Sequence, residues 1–237
     1  MSRKSFYIKT LFLYLFLFLL FAVFFLYRKS KESILVEAAE SEIPTAEAEV
    51  ITEPEKGPDL IIDASFSFEE AVAGIDIPQE ILEDLVLIEV RYLGFDSLLH
   101  QGQLIIASSL AREAEEIFKE LLAIGFPIER VVPISAYGWC DSLSMAHNNS
   151  SCFNYRNIRG TGLLSDHALG RAIDINPMQN PHFTKRFGVL PPGATYDVNA
   201  KGTFSHNSEA VKIFRNSGWR WGGRWWEYKD YQHFYKE

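Results

Sequence analysis

Four residues towards the C-terminal end of the chain carry side chains that could perform hydrolysis together. His167 and Asp174 stand seven residues apart with Gly170 between them, and Asp230 precedes His233 by three. Two imidazoles and one carboxylate are a natural set of protein ligands for a catalytic zinc ion, which keeps its fourth position for water. A further carboxylate close by would be available to move protons. A lone histidine or aspartate is commonly a surface or hydrogen-bonding residue, so it is the joint pattern that carries the reading.

The elements around these residues decide whether they can meet. Arg171–Asn176 reads as a strand whose period of two puts Ala172, Asp174 and Asn176 on one face. Ile173 and Ile175 then face the core, and Asp174 points into a cleft. Gly170 allows the turn that brings His167 back beside Asp174. In a terminal strand Tyr231–Tyr235, His233 and Tyr235 share a face while Phe234 packs inward.

The rest of the domain reads as mixed helix and strand. A short helix is expected over Pro78–Leu85, a strand over Val86–Tyr92, and its partner over Gly102–Ala107, with Gly94–His100 as the connection. The clearest helix is Ser109–Ile124. Leu110, Ala114, Ile117, Phe118, Leu121 and Leu122 share one face, Ser108 or Ser109 offers an N-cap, and Gly125 ends it. Val131–Ser135 reads as a buried strand, and Ser205–Asn216 as a second helix with Val211 and Phe214 inward, closed by Gly218. Gly138–Gly162 is long, polar and without period, which in a compact domain suggests a functional loop. There are no internal repeats. The order of elements predicts an α+β domain with flanking helices and a small, mainly antiparallel sheet.

The chain has 237 residues, room for one sizeable domain with appendages. Its formal charge of -8 argues against nucleic acid, which wants a basic footprint. The N-terminus is different in kind. Arg3, Lys4 and Lys9 precede an uncharged apolar run from Leu11 to Tyr27, closed by Arg28, Lys29 and Lys31. At about 1.5 Å per residue the run is just long enough to cross a hydrocarbon core of roughly 30 Å. It lacks a small-x-small cleavage site and is long for a signal peptide, so residues 1–31 are expected to be a short cytoplasmic tail and an uncleaved transmembrane helix. Residues 32–59 are rich in Glu and Ala, contain Pro44, Pro54 and Pro58, and have no aromatic residue; they read as an acidic, extended tether. Residues 60–237 remain as the catalytic domain, expected outside the membrane. Cys140 and Cys152 would pair in an oxidising compartment or stand as free thiols. Nothing in the sequence specifies an oligomeric state.

The motifs support a closer comparison. Ser-x-His-x-x-Gly-x-Ala-x-Asp (Ser165–Asp174), Trp-x-Trp-Gly-Gly-x-Trp (Trp219–Trp225) and Asp-x-x-His-Phe (Asp230–Phe234) resemble the zinc D-alanyl-D-alanine carboxypeptidase family. That family includes the VanY- and VanX-type enzymes and the L-alanyl-D-glutamate endopeptidases of phage endolysins. Gly94-Phe-Asp with His100-x-Gly-Gln103, Phe126-Pro-Ile128, Asn148–Arg156 and Gly170–Pro177 resemble its endopeptidase-like branch.

The resemblance implies a Hedgehog/D-Ala-D-Ala-peptidase-like fold, Zn2+ held by His167, Asp174 and His233, and Asp230 as the general base. A turn or bulge must then bring Asp230 over the site, because in a plain strand it and His233 would face opposite sides. Many relatives carry an arginine soon after the strand that here ends in Ile134-Ser-Ala-Tyr137, where this chain has Gly138. Arg156 is the expected substitute for stabilising the oxyanion. Ser165, Tyr155 and Trp225 are expected to bind substrate. Trp219, Trp221, Trp225 and Trp226 read as core and cleft wall rather than a sugar platform. His100, His147, His182 and His206 read as non-ligands.

The implied substrate is the stem peptide of peptidoglycan, cut as a D,D-carboxypeptidase or as an endopeptidase. Two rivals stand beside it: a non-catalytic wall-binding module of the same fold, and a zinc amide hydrolase acting on another peptide. The first rival predicts a lost ligand or a lost Asp230, and neither is lost.

Overall fold

The computed structural model describes residues 60–237. The expected transmembrane helix within 1–31 and the tether 32–59 lie outside the described residues. Among the described residues no helix is long and apolar enough to cross a membrane.

The chain enters on strand β1 (Leu60–Ile62), followed by helix α1 (Phe68–Val72) and helix α2 (Gln79–Leu82). A capping box starts α1: the Ser67 hydroxyl accepts from Glu70 N–H, and the Glu70 carboxylate accepts from Ser67 N–H. Ser67-x-x-Glu70 has the spacing of such a box, a local signal for a helix that the sequence expectations above do not include. Strands β2 (Leu85–Leu93) and β3 (Leu99–Ala107) form a long antiparallel hairpin, in register from Leu85↔Ala107 to Leu93↔Leu99. Its partner strand begins three residues earlier than expected, because Gly94 N–H closes a tight turn onto Leu98 C=O at 2.9 Å. Strand β1 adds to β3 in parallel.

Helix α3 (Ala111–Ala123) buries Ala114, Ile117, Phe118 and Leu121, one face at helical spacing. Its C-terminus is a Schellman closure: Phe126 N–H bonds Leu121 C=O and Gly125 N–H bonds Leu122 C=O. The sequence offers Ser108 or Ser109 as the N-cap, but Leu110 takes that position with no side-chain cap, and Ser108 donates its hydroxyl to Asp84 at 2.9 Å. The expected strand Val131–Ser135 shrinks to β4 (Arg130–Val131), and Ile134–Tyr137 is a 3-10 turn. Pro133 cannot donate to a ladder, and the backbone of Val132 is satisfied by the Asn149 side-chain amide at 3.0 and 2.8 Å.

The Gly138–Gly162 stretch is not structureless. It holds helix α4 (Asp141–Ala146) and strand β5 (Asn149–Ser150), which pairs with β4 in parallel. Strand β6 (Ala172–Asp174), hairpin strands β7 (His182–Thr184) and β8 (Gly188–Leu190), and helix α5 (Glu209–Asn216) follow. Helix α5 starts later than expected because Ser208, rather than Ser205, is the N-cap. Short strands β9 (Arg220–Trp221), β10 (Lys229–Asp230) and β11 (His233–Tyr235) complete the chain.

The α+β class is as expected, but the single small sheet is divided. Among the described residues there are three three-stranded sheets, β1-β3-β2, β6-β11-β9 and β10-β7-β8, and the two-stranded β4-β5. Alternation along β3 links the cores. Leu104 and Ile106 pack with α3, α5 and β11, while Ile105 packs with Leu85, Ala71 and Phe153. Phe234 is fully buried, stacked on Phe214 at 3.8 Å and edge-on to Phe204 at 4.8 Å. Burying such a ring contributes about 1.5–3 kcal/mol. Because neighbours alternate, the same anchoring turns His233 to the opposite face of β11.

Candidate functional site

His233 and Asp174 lie opposite one another across β11 and β6. Cross-strand partners share a face, so the alternation that sends Ile173 and Phe234 to the core sends this pair into the cleft. His233 Nδ1 lies 3.0 Å from Asp174 Oδ1. His167 reaches the same place from the 3-10 turn Asp166–Leu169, with Nε2 at 3.3 Å from Asp174 Oδ2 and 3.2 Å from His233 Nδ1.

The turn is fixed at both ends. The Ser165 hydroxyl accepts from His167 N–H at 3.3 Å, and Gly170 follows in the left-handed conformation at φ 64. A Cβ on Gly170 would lie 2.6 Å from Ala107 N, so glycine is required by both the conformation and the close approach to β3. The His167 ring is oriented by its other nitrogen: Nδ1 donates to Cys152 C=O at 2.5 Å, which leaves Nε2 a lone pair facing the cleft. Gln232 Nε2 donates to Asp174 Oδ2 at 3.0 Å and holds that carboxylate.

His167, Asp174 and His233 each offer one ligand atom within 4.8 Å of the others, and all three are buried. This donor set fits a zinc ion. Three Lewis-basic atoms converge, the tautomer of His167 is set by a backbone carbonyl, and Asp174 has a positioning donor, as metal-binding side chains commonly do. The charges agree. Burial would push Asp174 up, but the two imidazoles beside it outweigh this and hold it well below the usual carboxylate range. Burial likewise lowers His167, yet Asp174 overcomes it and leaves the imidazole raised.

Asp230 is on β10, in a different sheet from His233, and Tyr231–Gln232 is the break that the spacing required. Gly222 makes the bend possible. A Cβ there would meet Asp230 C=O at 2.6 Å, Asp230 Cβ at 3.0 Å and His233 Cβ at 3.4 Å, so both residues crowd the same glycine. Asp230 Oδ2 lies 3.4 Å from His182 Nδ1, while its Oδ1 is buried with no partner. Burial, reinforced by the negative charges of Asp174 and Asp141, raises its pKa well above the ordinary value.

These groups line one cleft of about 590 Å³, together with Ser165, Arg156 and Trp225. Arg156 pairs with Asp141 at 3.3 Å, and its Nε is buried without a partner. Trp225 walls the cleft, its ring 5.4 Å from that of His233. Tyr155 departs from expectation. It packs against the Ile105–Phe153 core and is not among the residues lining the cleft, whereas its neighbour Arg156 is. The tryptophans divide: Trp219 and Trp221 are core, Trp225 is cleft wall, and Trp226 is 96 % exposed. Cys140 is exposed, Cys152 is buried, and both are free.

Four contributors were not found from sequence. From sequence His182 reads as a non-ligand without a partner, and only the β7–β10 register places it beside Asp230. Gln232 and Asp141 carried no spacing signal. Cys152 acts through its carbonyl, which any residue would supply.

A family model described as D-alanyl-D-alanine carboxypeptidase matches residues 159–236. The match covers about a third of the chain and contains Ser165, His167, Asp174, Trp225, Asp230 and His233; Tyr155 and Arg156 precede it. It supports the resemblance read in the motifs, and with it a peptidase. No curated protein and no solved structure matches the chain.

Proposed function

We propose that the chain is a zinc-dependent peptidase that hydrolyses the stem peptides of peptidoglycan. The observation that carries this is the meeting, in one cleft, of the His167–Asp174–His233 group with a buried carboxylate, Asp230, that has one oxygen unpartnered. Zinc held by the three residues would polarise the scissile carbonyl and lower the pKa of water towards about 7.

The chain's own residues supply the rest. Asp230 Oδ1 is the free acceptor for the proton of the attacking water. Having taken that proton, Asp230 would pass it to the leaving amine. His182 holds the other oxygen and so fixes the direction of Oδ1. Arg156 supplies positive charge to the cleft, where an oxyanion develops; its pairing with Asp141 orients it. Trp225 and Ser165 shape the wall against which the peptide lies.

The N-terminal sequence supports a location. A helix within residues 1–31 would anchor the chain in the cell membrane with a single crossing. The acidic segment 32–59 would let the catalytic domain reach the cell wall outside. The test is incubation of the zinc-loaded chain with defined stem peptides and identification of the products by mass spectrometry. Cleavage at a D-Ala–D-Ala or L-Ala–D-Glu bond is the expected result. A zinc-bound protein that leaves every stem peptide intact would overturn the proposal.

A further inference from the structure

The rim of the cleft is basic although the chain is acidic. Besides Arg156, the lining includes Arg159, Lys185 and Arg186. Arg159 lies in the loop closed by the Asn157–Leu164 bridge, and Arg186 lies in the turn between β7 and β8. One ring joins them. The guanidinium carbons of Arg159 and Arg186 lie 5.1 and 5.2 Å from the centroid of Phe187. The turn that carries Phe187 is tied down, since Phe187 N–H donates to the Thr184 hydroxyl at 2.8 Å and that hydroxyl donates to Gly188 C=O at 3.2 Å.

An aromatic face holds a guanidinium by its charge while leaving the N–H edge free to donate. Two cations gathered on one ring repel each other, and an anion between them relieves this. Among the described residues neither arginine pairs with a carboxylate, although four line the same cleft. Asp141 is taken by Arg156, Asp174 by the two imidazoles, and Asp230 stands beside His182. Asp166 sits in the His167 turn with no cationic partner among the described residues.

We infer that Arg159 and Arg186, held by Phe187, form a subsite for a carboxylate of the peptide substrate. The inference rests on the peptidase reading and deepens it. Exposed guanidiniums add little to a protein's own stability, but their planar fork matches a carboxylate with two parallel hydrogen bonds. A stem peptide offers that group from two sources, its C-terminus and an internal acidic residue. A subsite filled by the C-terminal carboxylate suits removal of the last residue; one filled by the internal carboxylate suits an internal cut.

The test compares the full zinc-loaded chain with its Arg159→Gln/Arg186→Gln variant on three peptides: a free stem peptide, one amidated at the C-terminus, and one amidated at the internal acid. KM and kcat are measured, and binding is titrated separately with Asp230→Asn in both backgrounds. One of the two amidations should raise KM and Kd about tenfold when the arginines are present and not at all when they are absent. The amidation that does so names the source. Arginine removal that costs nothing, or costs the same on all three peptides, overturns the subsite. If no peptide is cut but the arginine-dependent binding difference persists, the hydrolytic reading fails and the subsite stands. If binding is absent or independent of the arginines, the subsite fails whatever the hydrolysis shows.

Discussion

Asp230 and His182 face one another across the β10–β7 pair, Oδ2 to Nδ1 at 3.4 Å, while the other Asp230 oxygen is buried without a partner. Burial lowers the His182 pKa, so near neutrality the ring is uncharged and orients the carboxylate without neutralising it. His182→Ala should therefore lower kcat by about ten- to a hundredfold while leaving the zinc content at wild-type level. Steady-state kinetics together with elemental analysis checks both halves.

The raised pKa of Asp230 has a thermodynamic sign. The folded state binds this proton more tightly than the unfolded state, so the stability it contributes is present below the ordinary value of 3.8 and is lost as pH rises towards the folded value. Asp230→Asn removes that loss. At pH 7 the metal-free variant should be more stable than the metal-free parent. The gap should close as pH falls to about 4. Urea denaturation at several pH values measures it.

Gln232 holds Asp174 by one hydrogen bond of 3.0 Å. Gln232→Ala should weaken zinc binding by about ten- to a hundredfold without removing a ligand. Competition with a chromogenic chelator would read this directly.

Gly170 carries two constraints at once, φ 64 and the 2.6 Å approach of a Cβ to Ala107 N. Gly170→Ala should cost about 1–3 kcal/mol in denaturant unfolding. It should also weaken zinc binding, because the turn that presents His167 would shift. A variant with wild-type stability and zinc affinity would remove this account of the turn.

What could be read from the sequence divides along physical lines. The faces of β6 and β11 were legible because alternation is local: Ile173 and Phe234 inside dictate Asp174 and His233 outside. Helix α3 was legible for the same reason, its period and Gly125 both lying within one window. The break between Asp230 and His233 followed from their spacing once the resemblance placed Asp230 at the site, although not the second sheet that takes up β10. His182 was not legible, since it meets Asp230 only through strand pairing between distant segments. Helix α4 was missed because its six residues are too few to show a period. Tyr155 was assigned to the substrate side from its neighbours, and packing around Phe153 decided otherwise.

The most direct measurement pairs the wild-type chain with Asp230→Asn, each analysed for bound zinc and incubated with purified peptidoglycan under mass spectrometry. Both proteins should hold one zinc ion, and only the wild type should release new peptide fragments. Fragments from the variant at the wild-type rate would contradict the role of Asp230. A wild-type protein that binds no zinc would contradict the assignment of His167, Asp174 and His233.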